Sequence, residues 1–327
     1  MKNRKRIFSG KLVGLIGFVF LGVLSQSCID DEETDFEKRV RLDHELITEY
    51  LESNNIQAER SVNDYYFTKT KENSAGASVR DDDVISFYYH MSLLNGKKVD
   101  SATADKNGPV KIGFNKDRVT LIPSGLYSGI STMKAGEIYR FYIPSYQAFG
   151  NYAYQQLIPA NSSLIIEVEL AKIEEPEIQE QIEEDMILAY IEEEQMEDVE
   201  SLSSGLFYKT LSAADANAAS PKQNNRIDVY YTGKYLDGEV FDKTKSGTPF
   251  SYILGVNSTI KGFDEAVKKM KEGEKIIAIM PSHLAYGESS RVIPAQIKDD
   301  LVDKELITNS IEPYSPLVFE IELVDIK

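Results

Sequence analysis

The stretch RIDVYYTGKYLDGEVFD, residues 226–242, and the stretch VISFYYHMSLLNGKKVD, residues 84–100, decide the fold of this chain. In each stretch an alternating run of apolar and polar residues leads to Asp237-Gly238 or Asn95-Gly96, and a second short run follows. Such dipeptides are typical of β-hairpin turns, because both central positions of the tightest turns need positive φ. Each stretch therefore predicts an antiparallel hairpin.

The two hairpins belong to an internal repeat with a period of roughly 140 residues, which indicates duplicated domains. Other segments pair in the same order: 133–137 with 270–274, 148–150 with 285–287, and Ile158-Pro159 with Ile293-Pro294. Residues 164–170 and 317–323 alternate apolar residues with glutamates and predict half-buried strands, and residues 262–270 predict one amphipathic helix. The sequence thus predicts an α+β fold of two domains, each a curved antiparallel β-sheet wrapped on a short α-helix.

An acidic segment with apolar residues at helical spacing precedes each domain. The first contains Phe36, Ile47 and Leu51, and the second, residues 177–199, contains Ile187 and Tyr190. Glutamate-rich sequence with this spacing predicts amphipathic helices. Packing onto the adjacent domain is one interpretation. Binding a partner, including a second copy of the chain as a homo-oligomer, is the alternative, and the sequence leaves both open.

The second copy carries a further set of landmarks in residues 226–294 and 316–327. In order they are Tyr231, Asp237-Gly238, Phe241-Asp242, Phe250, Ile260, Phe263, Ala285-Tyr286-Gly287, Ile293-Pro294 and Phe319. This set resembles an FKBP-type peptidyl-prolyl cis–trans isomerase domain. The resemblance implies catalysis of rotation about Xaa–Pro bonds in proline-containing or unfolded protein substrates, and binding of rapamycin or tacrolimus. No cofactor is expected, and because the histidines are widely separated in sequence, no metal site is suggested.

The resemblance also assigns residues to the site. Asp242 and Tyr286 are the catalytic residues, and Tyr286 donates its hydroxyl to a substrate carbonyl. The substrate-binding residues that it implies are Tyr231, Phe241, Phe250, Ile260, Phe263, Val292, Ile293 and Phe319. Phe263 stands where the family most often has tryptophan, so the indole N–H is missing. Residues 295–315 are an insertion that the family usually lacks, and we expect either a lid or substrate rim, or a surface insertion.

The first copy departs from this set at six matched positions, which are Val99, Val110, Pro123, Leu126, Phe149 and Ile166. Tyr89 and Asp100 remain. Phe149 lacks the hydroxyl of Tyr286, and Pro123 has no backbone N–H to donate. We therefore expect the first copy to be a degenerate domain with little or no isomerase activity, whose open groove can bind extended chains. A non-catalytic chaperone or partner-binding lipoprotein is the alternative function for the whole chain.

The N-terminus predicts a lipoprotein signal peptide over residues 1–27. Five basic residues precede an apolar run from Leu12 to Leu24, which is short for a membrane span of about 20 residues. Cys28, the only cysteine of the chain, follows small residues and is the predicted lipidation site. The lipid, such as palmitate, would anchor the protein in the cell envelope, at the outer membrane of a Gram-negative bacterium, on its periplasmic or its surface side. An ordinary cleaved secretory signal is the alternative.

Charge limits the possible functions, and chain length limits the number of domains. The formal net charge is −17, and it falls to about −22 without residues 1–27, which contain five basic and no acidic residues. That charge argues against binding nucleic acid. The predicted boundaries are 28–58 for an acidic linker and helix, 59–174 for the degenerate domain, 175–200 for an acidic helical linker, and 201–327 for the isomerase domain.

Overall fold

The computed structural model describes residues 33–106, 108–307 and 311–327. Cys28 and the predicted signal peptide lie outside these residues. The elements of the first half are α1 (Asp35–Ser53), β1 (Glu59–Arg60), β2 (Tyr66–Lys71), β3 (Val84–Leu93), β4 (Lys98–Ala102), β5 (Val110–Gly113), β6 (Leu121–Ile122), α2 (Ser124–Ile130), β7 (Ile138–Ile143) and β8 (Leu164–Glu174). Those of the second half are α3 (Pro176–Glu193), β9 (Glu200–Ser201), β10 (Phe207–Ser212), β11 (Arg226–Tyr235), β12 (Val240–Lys243), β13 (Phe250–Ile253), α4 (Lys261–Lys269), β14 (Lys275–Met280), β15 (Arg291–Val292), α5 (Lys298–Asp303) and β16 (Leu317–Ile326).

The two halves form two sheets with the same strand order. The first sheet runs β1-β2-β7-β8-β3-β4, with β5 also paired to β3, and the second runs β9-β10-β14-β16-β11-β12, with β13 also paired to β11. All pairings within the two sheets are antiparallel. A single helix, α2 or α4, packs against each sheet from the side of its core. The predicted duplication and α+β fold are therefore confirmed.

The hairpin turns form where the sequence predicts them, with a different geometry. Only Gly96 and Gly238 have positive φ, at 83° and 89°. Each turn is closed by a bond from the glycine N–H to the carbonyl three residues earlier, of Leu93 or Tyr235. The prediction of positive φ at both positions is wrong, because these are longer loops in which glycine alone is left-handed.

Strand register confirms the pairing of the two copies. Asp242 lies opposite Gly233, just as Asp100 lies opposite Met91. Phe250 pairs with Val229 in the second sheet, and Val110 pairs with Phe87 in the first. Ile260 and Pro123 both occupy the N-cap position, the residue directly before α4 and α2. The matched positions of the two domains are thus equivalent in space as well as in sequence.

The acidic helices pack on the outer faces of the sheets. Ile47 and Leu51 of α1 form a cluster with Tyr66 and Tyr142 of the first sheet, and Ile187 of α3 lies in the corresponding cluster on the second. Each helix therefore docks on the domain that follows it, as the first interpretation predicts. None of the helices in the described ranges has the length and apolar character needed to cross a bilayer.

The segment that contains the insertion leaves its own domain. Within it, β15 pairs in parallel with β6 of the first domain, Arg291 opposite Leu121 and Val292 opposite Ile122. Downstream, Ile297 and Leu301 are buried in the core of the first domain. We call residues 288–307 the strap. For residues 295–307 the predictions of a lid or substrate rim, and of a surface insertion, are both wrong, because aliphatic side chains bind the strap to the first domain. Ile311, later in the predicted insertion, is buried in the core of the second domain.

Candidate active site

A cavity of about 160 Å³ opens on the second domain, between α4 and the concave face of the sheet. Its lining residues are Tyr231, Asp242, Phe250, Ser258, Thr259, Ile260, Phe263, Tyr286 and Phe319. The sequence analysis named all of these except Ser258 and Thr259, which lie in a loop without a chemical signature.

Four aromatic rings build the wall of the cavity. Phe263, on the inner face of α4, meets Tyr231 and Phe319 with centroid distances of 5.6 and 5.5 Å and near-perpendicular planes. Tyr231 also meets Phe250 edge to face, at 5.8 Å. Edge-to-face contacts are favourable because the positive ring edge faces the negative ring surface, and each ring fixes its neighbour. The wall is therefore apolar and held in a defined shape before any ligand arrives.

A carboxylate and two phenols supply the polar groups. The Tyr231 hydroxyl donates to the Asp242 carboxylate at 2.6 Å, a short bond to a charged acceptor. Burial and the Asp242 carboxylate raise the pKa of Tyr231 above its usual value. The same two causes raise the pKa of Tyr286, whose side chain is 37% exposed. Both phenols therefore stay protonated at neutral pH, and Tyr286 can donate a hydrogen bond into the cavity.

The start of α4 brings a backbone donor to the same place. Ile260 has extended backbone, with φ −65° and ψ 150°, and its carbonyl accepts from the N–H of Asp264. Its own N–H donates to no backbone carbonyl in the part of the chain that the structure describes. Because Ile260 also lines the cavity, this N–H is available to a bound carbonyl.

A short 3-10 helix, Ser282–Leu284, sets the position of Tyr286. The Ser282 carbonyl accepts from the N–H groups of Ala285 and Gly287, both at 2.8 Å, so it closes the turn on either side of Tyr286. Ser282 is in turn held by the Glu183 carboxylate of α3. Sequence reasoning missed Glu183, because it is one of many glutamates in an acidic helix.

Three predicted site residues lie elsewhere. Val292 and Ile293, expected as walls of this cavity, are buried in the core of the first domain, because β15 pairs with β6. Phe241 does not line the cavity. It packs between Tyr235 and Phe319, with centroid distances of 5.4 and 5.7 Å. The assignment of these three side chains to the cavity wall is therefore corrected.

The first domain keeps the polar pair and loses the aromatic wall. Tyr89 donates to Asp100 at 2.6 Å, as Tyr231 does to Asp242. At the position of Gly233, however, the first domain has Met91. A Cβ on Gly233 would lie 2.7 Å from Phe241 and 2.9 Å from Phe319, so the two rings need glycine there. The matching residues Val99 and Ile166 are smaller, and methionine fits beside them.

The described residues contain no group of three or more His, Cys, Asp or Glu side chains that could hold a metal ion.

Comparison with known proteins places the chain in a family. The sequence profile of the FKBP-type peptidyl-prolyl cis-trans isomerase family matches residues 76–171 and 217–324, most of the chain, so this protein belongs to that family. The peptidyl-prolyl cis-trans isomerase FPR2 of Saccharomyces cerevisiae is 41% identical over 105 residues, which cover 32% of this chain and 66% of the yeast protein. The FKBP-type 22 kDa peptidyl-prolyl cis-trans isomerase of Escherichia coli is 36% identical over 139 residues, 42% of this chain and 58% of that protein.

The chain thus spans less than two thirds of the length of these relatives. A crystal structure of FkpA from Escherichia coli aligns with 46% of this chain and 64% of its own, at 29% identity and a TM-score of 0.34.

Proposed function

We propose that the second domain catalyses cis–trans rotation about Xaa–Pro bonds. Rotation is slow without a catalyst because the amide must lose its resonance, a barrier of about 18–20 kcal/mol. In the twisted transition state the carbonyl is less polar and the prolyl nitrogen is pyramidal. A site that favours this state over both planar isomers lowers the barrier without any covalent step.

The observation that carries the proposal is the combination of a small aromatic cavity with two convergent donors. Phe263, Phe319 and Phe250 would enclose the prolyl ring and exclude water from it. The Ile260 N–H and the Tyr286 hydroxyl would each hold a substrate carbonyl, which fixes the chain on either side of the rotating bond. Asp242 would hold Tyr231 in place at the rim. No proton has to leave any of these groups.

The test is a rate measurement with the whole chain. We expect it to accelerate isomerisation of a proline-containing tetrapeptide, and rapamycin or tacrolimus to inhibit that activity. A matched preparation with Phe263→Ala should lose most of the acceleration, because the cavity wall then lacks the ring that contacts both Tyr231 and Phe319. Equal rates with and without the wild-type protein would refute the proposal and leave a binding function for the cavity.

We propose further that the protein acts in the cell envelope on exported chains, held by lipid on Cys28. The support is the basic and apolar N-terminal sequence that ends at the only cysteine. Cys28→Ala should release the protein from the membrane fraction or leave it as uncleaved precursor. A variant that is processed and partitions into detergent like the wild type would contradict lipidation.

Self-association through the acidic helices is a separate part of the proposal. Although α1 and α3 dock on their domains, Phe36, Leu46 and Met186 remain 45% or more exposed. These side chains are the apolar surface that α1 and α3 would offer to a second copy of the chain. Light scattering during size exclusion would give the mass, and a monomer at all concentrations would exclude this part.

A further inference from the structure

The first domain's counterpart of the cavity is filled from within the chain. Four aliphatic side chains of the strap are at most 3% exposed and belong to the core of the first domain: Val292, Ile293, Ile297 and Leu301. The same cluster contains Tyr89, Val99, Leu126 and Ile166, which correspond to residues around the second domain's cavity. The groove that the sequence analysis expected to be open is therefore occupied.

The backbone of the strap follows the edge of that pocket. The N–H of Arg291 donates to the Thr120 carbonyl at 2.8 Å, and the N–H of Ile293 donates to the Ile122 carbonyl at 3.0 Å. Because Pro123 matches Ile260, residues 121–122 match Ser258 and Thr259, which line the second domain's cavity. The strap thus crosses the first domain where a bound chain would cross the second.

Polar contacts surround this apolar centre. Arg118 of the first domain forms an ion pair with Glu288 at 2.9 Å. The Tyr152 hydroxyl donates to Asp300 at 2.8 Å, and Lys304 lies 4.7 Å from the centre of the Tyr152 ring. An apolar centre with a polar rim is the arrangement of specific protein interfaces.

We infer that the degenerate pocket of the first domain is a binding site for an aliphatic segment that is a strand at Arg291–Val292 and a short helix at Lys298–Asp303, with Glu288 and Asp300 bound at the rim, and that its resident ligand is the strap. This site needs neither an aromatic wall nor two carbonyl-directed donors, because aliphatic side chains of the strap fill it and two backbone hydrogen bonds, to the carbonyls of Thr120 and Ile122, hold the strap in place. Where the first domain lacks these aromatic rings and hydrogen-bond donors, it binds the strap of its own chain instead. The docked strap holds the two domains as one body and keeps clients out of the first.

Amide hydrogen exchange of the full chain tests whether the strap is docked. In the wild type the amides of Arg291 and Ile293 should exchange slowly, at the level of strand amides. The double variant Ile297→Asp/Leu301→Asp should release them, so that they exchange at least about tenfold faster while β14 and β16 are unchanged. The matched control is Leu306→Asp, a charge placed at a strap side chain that is 58% exposed, which should change nothing.

A peptide added in trans tests whether the pocket is a binding site. A labelled peptide with the sequence of residues 288–303 should bind the double variant at least about tenfold more tightly than it binds the wild type, where the tethered strap competes. If the double variant does not fold, Arg118→Ala/Tyr152→Phe removes only rim contacts and should show the same changes to a smaller degree. Fast exchange in the wild type, or peptide binding no stronger than to the Leu306→Asp control, would overturn the inference.

An independent observation concerns Glu183 in α3. Its carboxylate is 2% exposed and accepts from the backbone N–H of Ser282 at 2.6 Å and from the Ser282 hydroxyl at 2.9 Å. Gln179, one turn earlier, donates to the same carboxylate at 2.9 Å. A buried carboxylate that accepts three hydrogen bonds fixes the group that it binds. That group is Ser282, in the 3-10 turn. The Ser282 carbonyl accepts hydrogen bonds from the N–H groups of the residues on both sides of Tyr286.

The first domain has the same arrangement. Asp43 of α1 is fully buried and accepts from the N–H and the hydroxyl of Ser145, at 2.8 and 2.6 Å. The Ser145 carbonyl accepts from Ala148 and Gly150, on either side of Phe149. In each domain a carboxylate of the acidic helix thus binds the 3-10 turn that precedes Tyr286 or its counterpart Phe149.

We propose that Glu183 is a positioning residue for Tyr286, an inference that rests on the proposed isomerase activity. Glu183→Ala should lower kcat/KM by a few-fold to about tenfold, the loss expected for one misplaced hydrogen bond. Because Glu183 acts through the tyrosine hydroxyl, the same change in a Tyr286→Phe background should have almost no further effect. Glu183→Gln, which keeps an acceptor, should restore part of the rate, and Asp43→Ala is the matched control, which should leave the rate unchanged.

An activity-independent readout separates this inference from the isomerase proposal. Exchange of the Gly287 amide, which donates to Ser282, should become faster in Glu183→Ala than in the wild type. Additive losses in the double variant, or equal Gly287 exchange in the two proteins, would reject the positioning role. A wild-type chain without isomerase activity would reject the proposed function, and the Gly287 measurement would still decide the role of Glu183.

Discussion

The two Tyr–Asp pairs offer an internal comparison, because the chain carries the same contact twice. Asp242→Ala removes the acceptor of Tyr231, and Asp100→Ala removes the acceptor of Tyr89, each at 2.6 Å. Tyr231 lies against Phe250 and Phe263, so a freed Tyr231 ring loosens the cavity wall. We expect Asp242→Ala to lower the isomerase rate and Asp100→Ala to leave it unchanged.

The size of the effect follows from the hydrogen bond. A bond to a charged acceptor contributes about 1.5–3 kcal/mol, and Asp242 is exposed, so the lower end applies. Since about 1.4 kcal/mol corresponds to a factor of ten, kcat/KM should fall about tenfold. Tyr231→Phe should cause a similar loss, and the double variant Asp242→Ala/Tyr231→Phe should lose little more, because both changes break the same bond.

The assay is the tetrapeptide rate at several enzyme concentrations, with circular dichroism to show that each variant is folded. An Asp100→Ala variant as slow as Asp242→Ala would show that both domains catalyse, and the assignment of activity to the second domain would be wrong. Unchanged rates in Asp242→Ala and Tyr231→Phe together would remove the pair from the site.

Three further predictions follow from other contacts. Gly233→Ala should destabilise the protein by about 1–3 kcal/mol in urea unfolding, because the new Cβ overlaps two rings; an unchanged midpoint would show that the rings move freely. Burial, and then the charge of Arg60, lower the pKa of His44, so its contribution to stability should be complete above about pH 6.5 and decline as the pH falls below it. Urea midpoints at about pH 7.5 and 5.5 should therefore differ less in His44→Gln than in the wild type, and an equal difference would refute this. Phe149→Tyr should not rescue Tyr286→Phe, because the strap fills the first pocket; a recovered rate would show that this pocket is accessible.

Much of the fold could be predicted from the sequence, because its signals are local. Asp237-Gly238 and Asn95-Gly96 mark turns through backbone conformation, and alternation along 317–323 marks a strand with one buried face. Repetition of these signals in the same order predicts two like domains. The cavity residues Tyr231, Phe263 and Phe319 were also predictable, because the order of landmarks along the second domain resembles that of an FKBP-type domain. The first domain keeps Tyr89 at the position of Tyr231 but has Leu126 and Ile166 at the other two.

The destination of the strap was decided only by the tertiary structure. Val292 and Ile293 are equally apolar whether they face their own cavity or the neighbouring domain, and hydropathy does not distinguish the two. The shape of the first pocket, with Val99 and Leu126 in place of rings, and the free edge at residues 121–122 decide where they bind. Likewise, Glu183 is one carboxylate among many in α3 until the docking of that helix buries it against Ser282. Sequence determines which residues can form a surface, whereas packing determines which surfaces meet, because complementarity of shape depends on both partners at once.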